Sequence, residues 1–274
     1  TFVRQIKPLT DSLFYSIPLI ISGLGLALGF RAGLFNIGGK GQIIVGALAA
    51  VWVGFAVSLP PVVHTLVAII VAVIAGGLYG GIAGVLKAKT GANEVIVTIM
   101  LNSIATLGLG YVLAQKAWQV PGSNQPVTPK VAESAALTRL LPAPFKLHVG
   151  FIVALVALAF FWWLIERSTL GFQIRAVGAN AAAARTAGIS VERITAITMV
   201  LSGAFLGLAG ANEALGTIGY VSRDVAGTVG FDAITVALLG RNKTWGTFGA
   251  GLLFGAFKAG GYTMQAKGVP IDMI

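Results

Sequence analysis

The chain has 274 residues, of which 56% are hydrophobic and only 10% are charged. Soluble globular domains carry about 25% charged residues, so this composition excludes an ordinary soluble domain. The net charge is +10, but the basic residues lie between long apolar runs, where they orient a membrane protein and give no support to nucleic-acid binding.

Long uncharged runs follow one another along the chain. Residues 41–86 hold 46 positions without Asp, Glu, Lys or Arg, which at about 1.5 Å per residue exceeds two crossings of a roughly 30 Å hydrocarbon layer. We therefore predict an all-α polytopic membrane protein. About seven or eight membrane helices are expected, from the runs 12–30, 42–59, 62–86, 95–115, 147–165, 194–212 and 244–257 and from the shorter segment 230–240, which spans only if it is broken or re-entrant.

The connecting segments indicate an orientation. Residues 116–146 hold five of the ten prolines and are predicted to form an exposed loop. Residues 166–193 carry four arginines, and with Lys87 and Lys89 this side of the membrane has six basic residues against four in the proline-rich loop. Because basic loops remain inside, we expect 166–193 to be cytoplasmic and 116–146 to be extracytoplasmic.

The two ends suggest a longer polypeptide. The chain begins at Thr1, and we expect a new apolar run to begin at residues 272–274. We interpret residues 1–274 as a single transmembrane domain that lacks terminal spans.

Glycine is about twice as frequent as usual, with 37 residues. Much of it recurs at four-residue spacing inside the apolar runs, which lets helix backbones approach closely. The alternative is that glycine is merely common in membrane helices. We favour packing for the sets Gly25 and Gly29, Gly76, Gly80 and Gly84, Gly203 and Gly207, and Gly251 and Gly255.

The segment GLFNIGGKGQ at residues 33–42 interrupts an apolar stretch with glycines, amides and Lys40. It is not a phosphate-binding loop, because Leu34 and Gly41 stand where that pattern needs Gly and Ser or Thr. Two interpretations stay open from spacing alone. One is a broken membrane helix beside a substrate path, and the other is a plain turn between helices.

A few polar residues lie in or beside apolar runs. Ionisable groups in a membrane are costly enough to be functional candidates. Glu94 and Glu213 fall near predicted helix ends, so an interfacial position is the better interpretation for them. An interfacial position is also expected for the two histidines, His64 and His148. Asp232 lies in the short segment and is the stronger candidate.

A short capped helix is predicted between residues 181 and 187. Asn180 is a good N-cap, four alanines follow, and Gly188 suits the left-handed position after a helix. Two turns of helix do not persist alone in water, so this helix needs a docking surface. Ser190 then caps the next membrane helix.

Three motifs together resemble one family, namely GLFNIGGKGQ (33–42), AVGANAAAARTAGIS (176–190) and GTVGFDAITVALLGR (227–241). The chain is similar to the permease subunits of bacterial ATP-binding-cassette importers of the branched-chain amino acid, ribose and nucleoside group, closest to the nucleoside or simple-sugar branch. The resemblance implies a helical fold related to vitamin B12-type importers and a place in the bacterial inner membrane. It also implies three kinds of partner: a second permease subunit, cytoplasmic ATPases that bind ATP, and an extracytoplasmic binding protein.

The resemblance also suggests site residues. Phe35, Asn36 and Gln42 match the first motif, whereas Lys40 stands where the nucleoside branch commonly has an acidic residue. We predict that the substrate pathway is lined by Phe35, Asn36, Gln42, Asn102, Phe231 and Asp232. The predicted ATPase contact on the short helix consists of Asn180, Ala183, Ala184, Arg185, Thr186 and Gly188.

Two other classes of membrane protein are compatible with the sequence. A channel or an ion-coupled carrier would work without ATPases, and a membrane enzyme is a distant third because neither H-E-x-x-H nor G-x-S-x-G occurs. No cysteine is present and no metal-ligand set can be assembled around either histidine, so neither a metal nor a bound cofactor is expected in this chain. The sequence does not choose among purine nucleosides, pyrimidine nucleosides and sugars, nor between an identical and a homologous second permease.

Overall fold

A computed structural model describes residues 2–120, 122 and 125–265, with side chains from Ile6 onward. The described part is helical, and the only β-type pairing within it is an isolated bridge between Arg139 and His148. Ten α-helices occur in this part: α1 Phe2–Arg31, α2 Gly39–Ala56, α3 Pro61–Thr90, α4 Glu94–Ala114, α5 Gly150–Arg167, α6 Thr169–Ala179, α7 Ala181–Thr186, α8 Val191–Asn212, α9 Val229–Leu239 and α10 Thr244–Gln265. A single 3₁₀ turn, Lys116–Trp118, follows α4, and a π-helical turn, Glu213–Ile218, extends α8.

Six of the described helices are long and apolar enough to cross a membrane, fewer than the seven or eight that were predicted. They comprise α1 from Ile6, α2, α3, α4, α5, and α8 together with its π turn. The predicted short segment is α9, whose 11 residues reach only about 16 Å. The run at 244–257 lies in α10, which has 22 residues but includes six glycines that dilute its apolar character.

Close glycine contacts hold the bundle together, as the four-residue spacing predicted. A side chain on Gly76 would lie 2.5 Å from the Gly203 carbonyl oxygen, and one on Gly80 would lie 2.7 Å from the Met199 carbonyl oxygen. Helices α3 and α8 therefore pack backbone against backbone, which only small residues allow. Gly251 packs against Ile20 of α1, where an added side chain would lie 2.5 Å from the Ile20 Cγ1 atom.

Helix α8 lies at the centre of the fold, between α1, α2 and α3. Its residues Leu206, Ala209 and Ala211 are fully buried. Helix α1 packs along α10, so the N-terminal and C-terminal helices of the described chain are neighbours. This arrangement brings the breaks before α2 and before α9 into one region of the bundle.

Both histidines are buried in the protein, and their interfacial position in the membrane stays a prediction. The imidazole of His64 lies between the Ser134 hydroxyl and the Val53 carbonyl oxygen, at 2.8 and 3.0 Å. His148 is 1% exposed. Among the residues that the structure describes, no group of three His, Cys, Asp or Glu side chains forms a metal site.

Candidate functional site

The first motif forms a non-helical segment between α1 and α2. Residues 32–38 leave the helix after Arg31, with Gly33 at φ +73°, and α2 begins at Gly39. Asn36 is fully buried in this segment. Its amide nitrogen donates to the side-chain oxygens of Gln42 and Ser202, both at 3.0 Å, and its amide oxygen accepts from the backbone of Gly38 at 2.9 Å. The break is therefore fixed by hydrogen bonds that replace the missing helical ones.

Helix α4 supports the same segment from the other side. The Asn102 side chain accepts from the Gly41 backbone N–H at 2.7 Å and donates to the Ile37 carbonyl oxygen at 2.8 Å. The Thr98 hydroxyl accepts from the Ile37 N–H at 3.2 Å. Since the first N–H groups of a helix have no partner inside it, Asn102 satisfies one of the free donors at the start of α2.

Glu94 is the first residue of α4 and is buried, with 8% exposure, while its interfacial position in the membrane stays a prediction. Its carboxylate is paired with Lys87 of α3 and accepts from the Phe35 N–H at 3.4 Å. The ion pair joins α3 and α4 directly below the break.

The third motif meets the first at the start of α9. A side chain on Gly39 would lie 3.0 Å from the Gly230 carbonyl oxygen, and one on Gly230 would lie 2.5 Å from the Lys40 backbone nitrogen. The N-termini of α2 and α9 are therefore in backbone contact. Two segments almost 200 residues apart in the sequence thus form one structural unit.

Five of the six residues predicted for the pathway fall into two groups. Asn36, Gln42 and Asn102 are 0%, 1% and 8% exposed and bond within the described chain. Phe35 and Phe231 are exposed, at 37% and 51%. The pathway role of all six residues stays a prediction. The observed hydrogen bonds show that the three amides stabilise the non-helical segment between α1 and α2.

Asp232, the sixth of these residues, connects the break to α10. Its carboxylate accepts from the Thr228 hydroxyl at 2.7 Å and pairs with the Lys258 ammonium at 2.8 Å. Lys258 also donates to Thr228 at 3.2 Å. Asp232 is thereby attached to a cavity that Lys258 and Thr228 line.

This cavity has a volume of about 250 Å³ and lies between α1, the π turn, the segment before α9, and α10. We call it the polar cavity. Its charged lining residues are Glu213, Asp224 and Lys258. Glu213 is 8% exposed and lines the cavity together with Thr217 and Lys258.

The aromatic wall of the polar cavity comes from α1 and α10. The rings of Tyr15 and Tyr262 are stacked with centroids 4.9 Å apart, and Phe14 meets Tyr15 edge to face at 5.1 Å. Behind Phe14 lies His148, also in an edge-to-face contact. The polar cavity thus combines a flat apolar face with a charged edge, which is how small-molecule sites are commonly built.

Sequence reasoning missed this cavity. Glu213 follows the uncharged run 194–212, so the sequence predicts a helix end at this residue, whereas α8 is extended there by a π turn. Such turns recur at functional sites in other proteins. The sequence feature that could have indicated the cavity is the presence of one ionisable residue, Glu213 or Lys258, in each of two otherwise apolar segments.

Helices α6 and α7 form a helical pair between α5 and α8, and α6 contacts the end of α1, where the break begins. The predicted caps of α7 are present: the Ala183 N–H donates to Asn180 Oδ1 at 3.0 Å, and Gly188 has φ +82°. Ser190 caps α8 through the Arg193 N–H at 3.4 Å. Helix α6 was not predicted.

The two helices enclose an apolar groove of about 560 Å³. Ala183 is exposed along it, whereas Ala184 is 4% exposed and packs against the bundle. Phe172 of α6 is 61% exposed at the groove. Arg185 pairs with Glu192 at 2.6 Å on the outer surface, and the Thr186 hydroxyl donates back to the Ala183 carbonyl oxygen.

Comparison with known families gives a match over residues 9–272 to the branched-chain amino acid transport system permease component. The chain belongs to this permease family. The permease is 46% identical to a guanosine ABC transporter permease of Bacillus subtilis, over 94% of this chain and 74% of that protein. It is 36% identical to a glucose ABC transporter permease of Haloferax volcanii, over 97% and 72% of the two chains. A nucleoside ABC transporter permease of Lactococcus lactis is 33% identical, over 94% and 73%.

The permease is therefore a multi-pass subunit of an ATP-driven transporter in the inner membrane. It is not an enzyme, because the ATPase of such a system is a separate subunit. No solved structure matches significantly, so the relation to vitamin B12-type importers stays a prediction.

Proposed function

We propose that the permease forms the translocation pathway of a nucleoside importer. The observation that carries this proposal is the 46% identity to a guanosine permease across nearly the whole chain. The permease would work with a second permease subunit, cytoplasmic ATPases and an extracytoplasmic binding protein that delivers the nucleoside.

The pathway is proposed to run past the contact between α2 and α9. Phe35 and Phe231 offer exposed aromatic faces there, and Asp232 offers a carboxylate. Amides and aromatic rings suit sugar hydroxyls and nucleobases. Asn36, Gln42 and Asn102 are proposed to contribute by fixing the broken segment, because irregular backbone at membrane depth must be bonded to protein or water.

Coupling to ATP hydrolysis is proposed to run through α7 and its groove. The helix is capped at both ends, so its geometry is specified. The side of the helix that carries Ala183 is nevertheless exposed. A helix that lies on a membrane surface would need Trp, Phe or Leu on that face, and α7 presents alanines. A partner protein with a close-fitting surface is the better match.

Stimulation of ATP hydrolysis tests the substrate assignment. The permease, its ATPases and the binding protein are reconstituted in nanodiscs, and ATPase activity is measured with guanosine, uridine or glucose on the binding protein. We expect nucleosides to stimulate hydrolysis and glucose to have no effect. Stimulation by glucose alone would overturn the nucleoside assignment. If none of the three solutes stimulates hydrolysis, the proposal that this complex is an importer for them is contradicted.

A simple-sugar importer is the second candidate. It is favoured by the 36% identity to a glucose permease, which exceeds the 33% identity to one of the nucleoside permeases. The same ATPase measurement decides between the two.

A further inference from the structure

Of the six residues predicted for the substrate pathway, only Asp232 lies beside the polar cavity, through its ion pair with Lys258. We propose that it binds a purine nucleobase, with Glu213 and Lys258 reading the hydrogen-bonding edge of a guanine-type ring. The inference rests on the proposed nucleoside function and adds to it a recognition site within the permease.

The charge balance of the cavity indicates the class of ligand. Glu213, Asp224 and Asp232 provide three carboxyl groups at or beside the cavity, against the single ammonium of Lys258. Lys258 is already neutralised by Asp232 at 2.8 Å, so the Glu213 carboxylate is not needed to balance it. An excess of hydrogen-bond acceptors favours a ligand rich in N–H donors and disfavours a phosphate.

The arrangement of donors and acceptors narrows the ligand further. A carboxylate accepts only, with two oxygens, and an ammonium donates only. The guanine edge presents an N–H and an amino group beside a carbonyl oxygen, so Glu213 can accept from both donors while Lys258 donates to the carbonyl. Adenine carries no carbonyl oxygen on that edge and presents an acceptor nitrogen toward the carboxylate, which leaves a buried acid without its partner.

The aromatic wall supplies the second half of nucleobase recognition. Proteins that read an unpaired base combine hydrogen bonds to its edge with stacking on aromatic rings. The stacked Tyr15 and Tyr262 rings and the adjacent Phe14 lie on the wall of the same cavity. Tyr262 is 49% exposed, so its ring is accessible from outside the helix bundle.

Ligand-detected NMR on the complex without its binding protein tests this inference directly. Saturation transfer is measured from the permease and ATPase complex in nanodiscs to guanosine, inosine, adenosine, ribose and guanosine monophosphate. We expect guanosine to bind best, inosine more weakly, and adenosine, ribose and the monophosphate at least about tenfold more weakly than guanosine.

Variants separate recognition from folding. Glu213→Gln is expected to reduce guanosine binding about tenfold or more and to remove the preference over adenosine. Tyr262→Leu is expected to weaken both purines alike and to keep the preference. Glu133→Gln, an exposed acid in the 116–146 loop, is the matched control and is expected to bind like the wild type.

The outcomes are distinguishable from those of the functional proposal. If guanosine on the binding protein stimulates ATP hydrolysis but the wild type shows no preference for guanosine in the NMR measurement, the base-reading site is refuted and the importer stands. An unchanged preference in Glu213→Gln also refutes it. Should Glu213→Gln fail to assemble with the ATPases, the wild-type order of ligands and the Tyr262→Leu result decide.

Discussion

At the scale of single residues, Asn36 shows how a buried amide can set the local backbone. It uses both its donor and its acceptor atoms, toward Gln42, Ser202 and Gly38. No side chain of similar size without an amide can make these bonds. The break before α2 is therefore specified by chemistry and not by the absence of helix-forming residues.

Replacing Asn36 by Leu is expected to destabilise the permease, because the partners lose their bonds while they remain buried. Each unsatisfied buried group costs about 1–3 kcal/mol. Thermal unfolding of the purified complex measures the effect. Ser202→Ala removes only one of the bonds and is expected to cause a clearly smaller drop in melting temperature; equal melting temperatures for Asn36→Leu and wild type would contradict this role.

His148 makes a pH dependence predictable. It lies just outside the candidate spans, and burial lowers its pKa from 6.5 to about 4, because the charged form loses its hydration. Its Nδ1 accepts from the Gly150 N–H at 3.0 Å, which also favours the neutral ring. Well above pH 6.5 the residue is neutral in both folded and unfolded chains and contributes no pH dependence.

As pH falls from 6.5 toward 4, the unfolded chain takes up a proton at this position and the folded chain does not. Stability should therefore decrease through this window, by up to about 3 kcal/mol, and level off below pH 4 as far as His148 is concerned. Urea unfolding of the wild type and His148→Gln at pH 7.5, 5.5 and 4.5 measures the difference. Parallel pH curves for the two proteins would show that the ring does not titrate as described.

At the scale of elements, α7 was predicted within one residue of its observed ends, since its N-cap and the following glycine mark both boundaries. The two alanines predicted for the ATPase contact, Ala183 and Ala184, are not equivalent. Ala183 faces out and Ala184 faces in, a distinction that a helix of two turns does not reveal in sequence.

Ala183→Trp is therefore the clean test of coupling. The indole would occupy the outer groove and weaken ATPase association about tenfold or more, since overpacking a close contact costs about 1–3 kcal/mol. Copurification with the ATPase subunit measures it, with monodispersity of the permease as the check on folding. Ala184→Trp is the comparison, and it should lower the melting temperature of the permease itself. Normal association of the Ala183→Trp variant would move the coupling contact elsewhere, with residues 84–93 next.

Other elements escaped prediction for identifiable reasons. Helix α6 carries polar residues among apolar ones and lies between two stronger signals, and the π turn after α8 begins at a charged residue that resembled a helix end. The clustering of Asn36, Gln42 and Asn102 was predicted as a pathway lining, but sequence alone does not distinguish amides that face a cavity from amides that bond to one another. The contact between Gly39 and Gly230 depends on tertiary packing and has no local signature.

At the scale of the whole molecule, the topology follows from the alternation of spans. The 116–146 loop and the α6–α7 pair fall on opposite ends of α5, which is 18 residues long. The prediction places the loop outside and the helical pair in the cytoplasm.

The cysteine-free chain allows this topology to be tested with single substitutions. Glu133→Cys and Ala183→Cys place one thiol in each region, both at exposed positions. In intact cells a membrane-impermeant maleimide should label position 133 and should label position 183 only after the membrane is opened. The reverse pattern would invert the orientation and with it the assignment of the coupling helices.

Uptake of radiolabelled guanosine into proteoliposomes tests the central claim most directly. The vesicles contain the permease with its partner subunits, ATP is enclosed inside, and the binding protein is added outside. We predict accumulation of guanosine against its gradient that requires both ATP and the binding protein and that is lost with Ala183→Trp. Equilibration of guanosine without ATP, or accumulation of glucose in place of guanosine, would contradict the account.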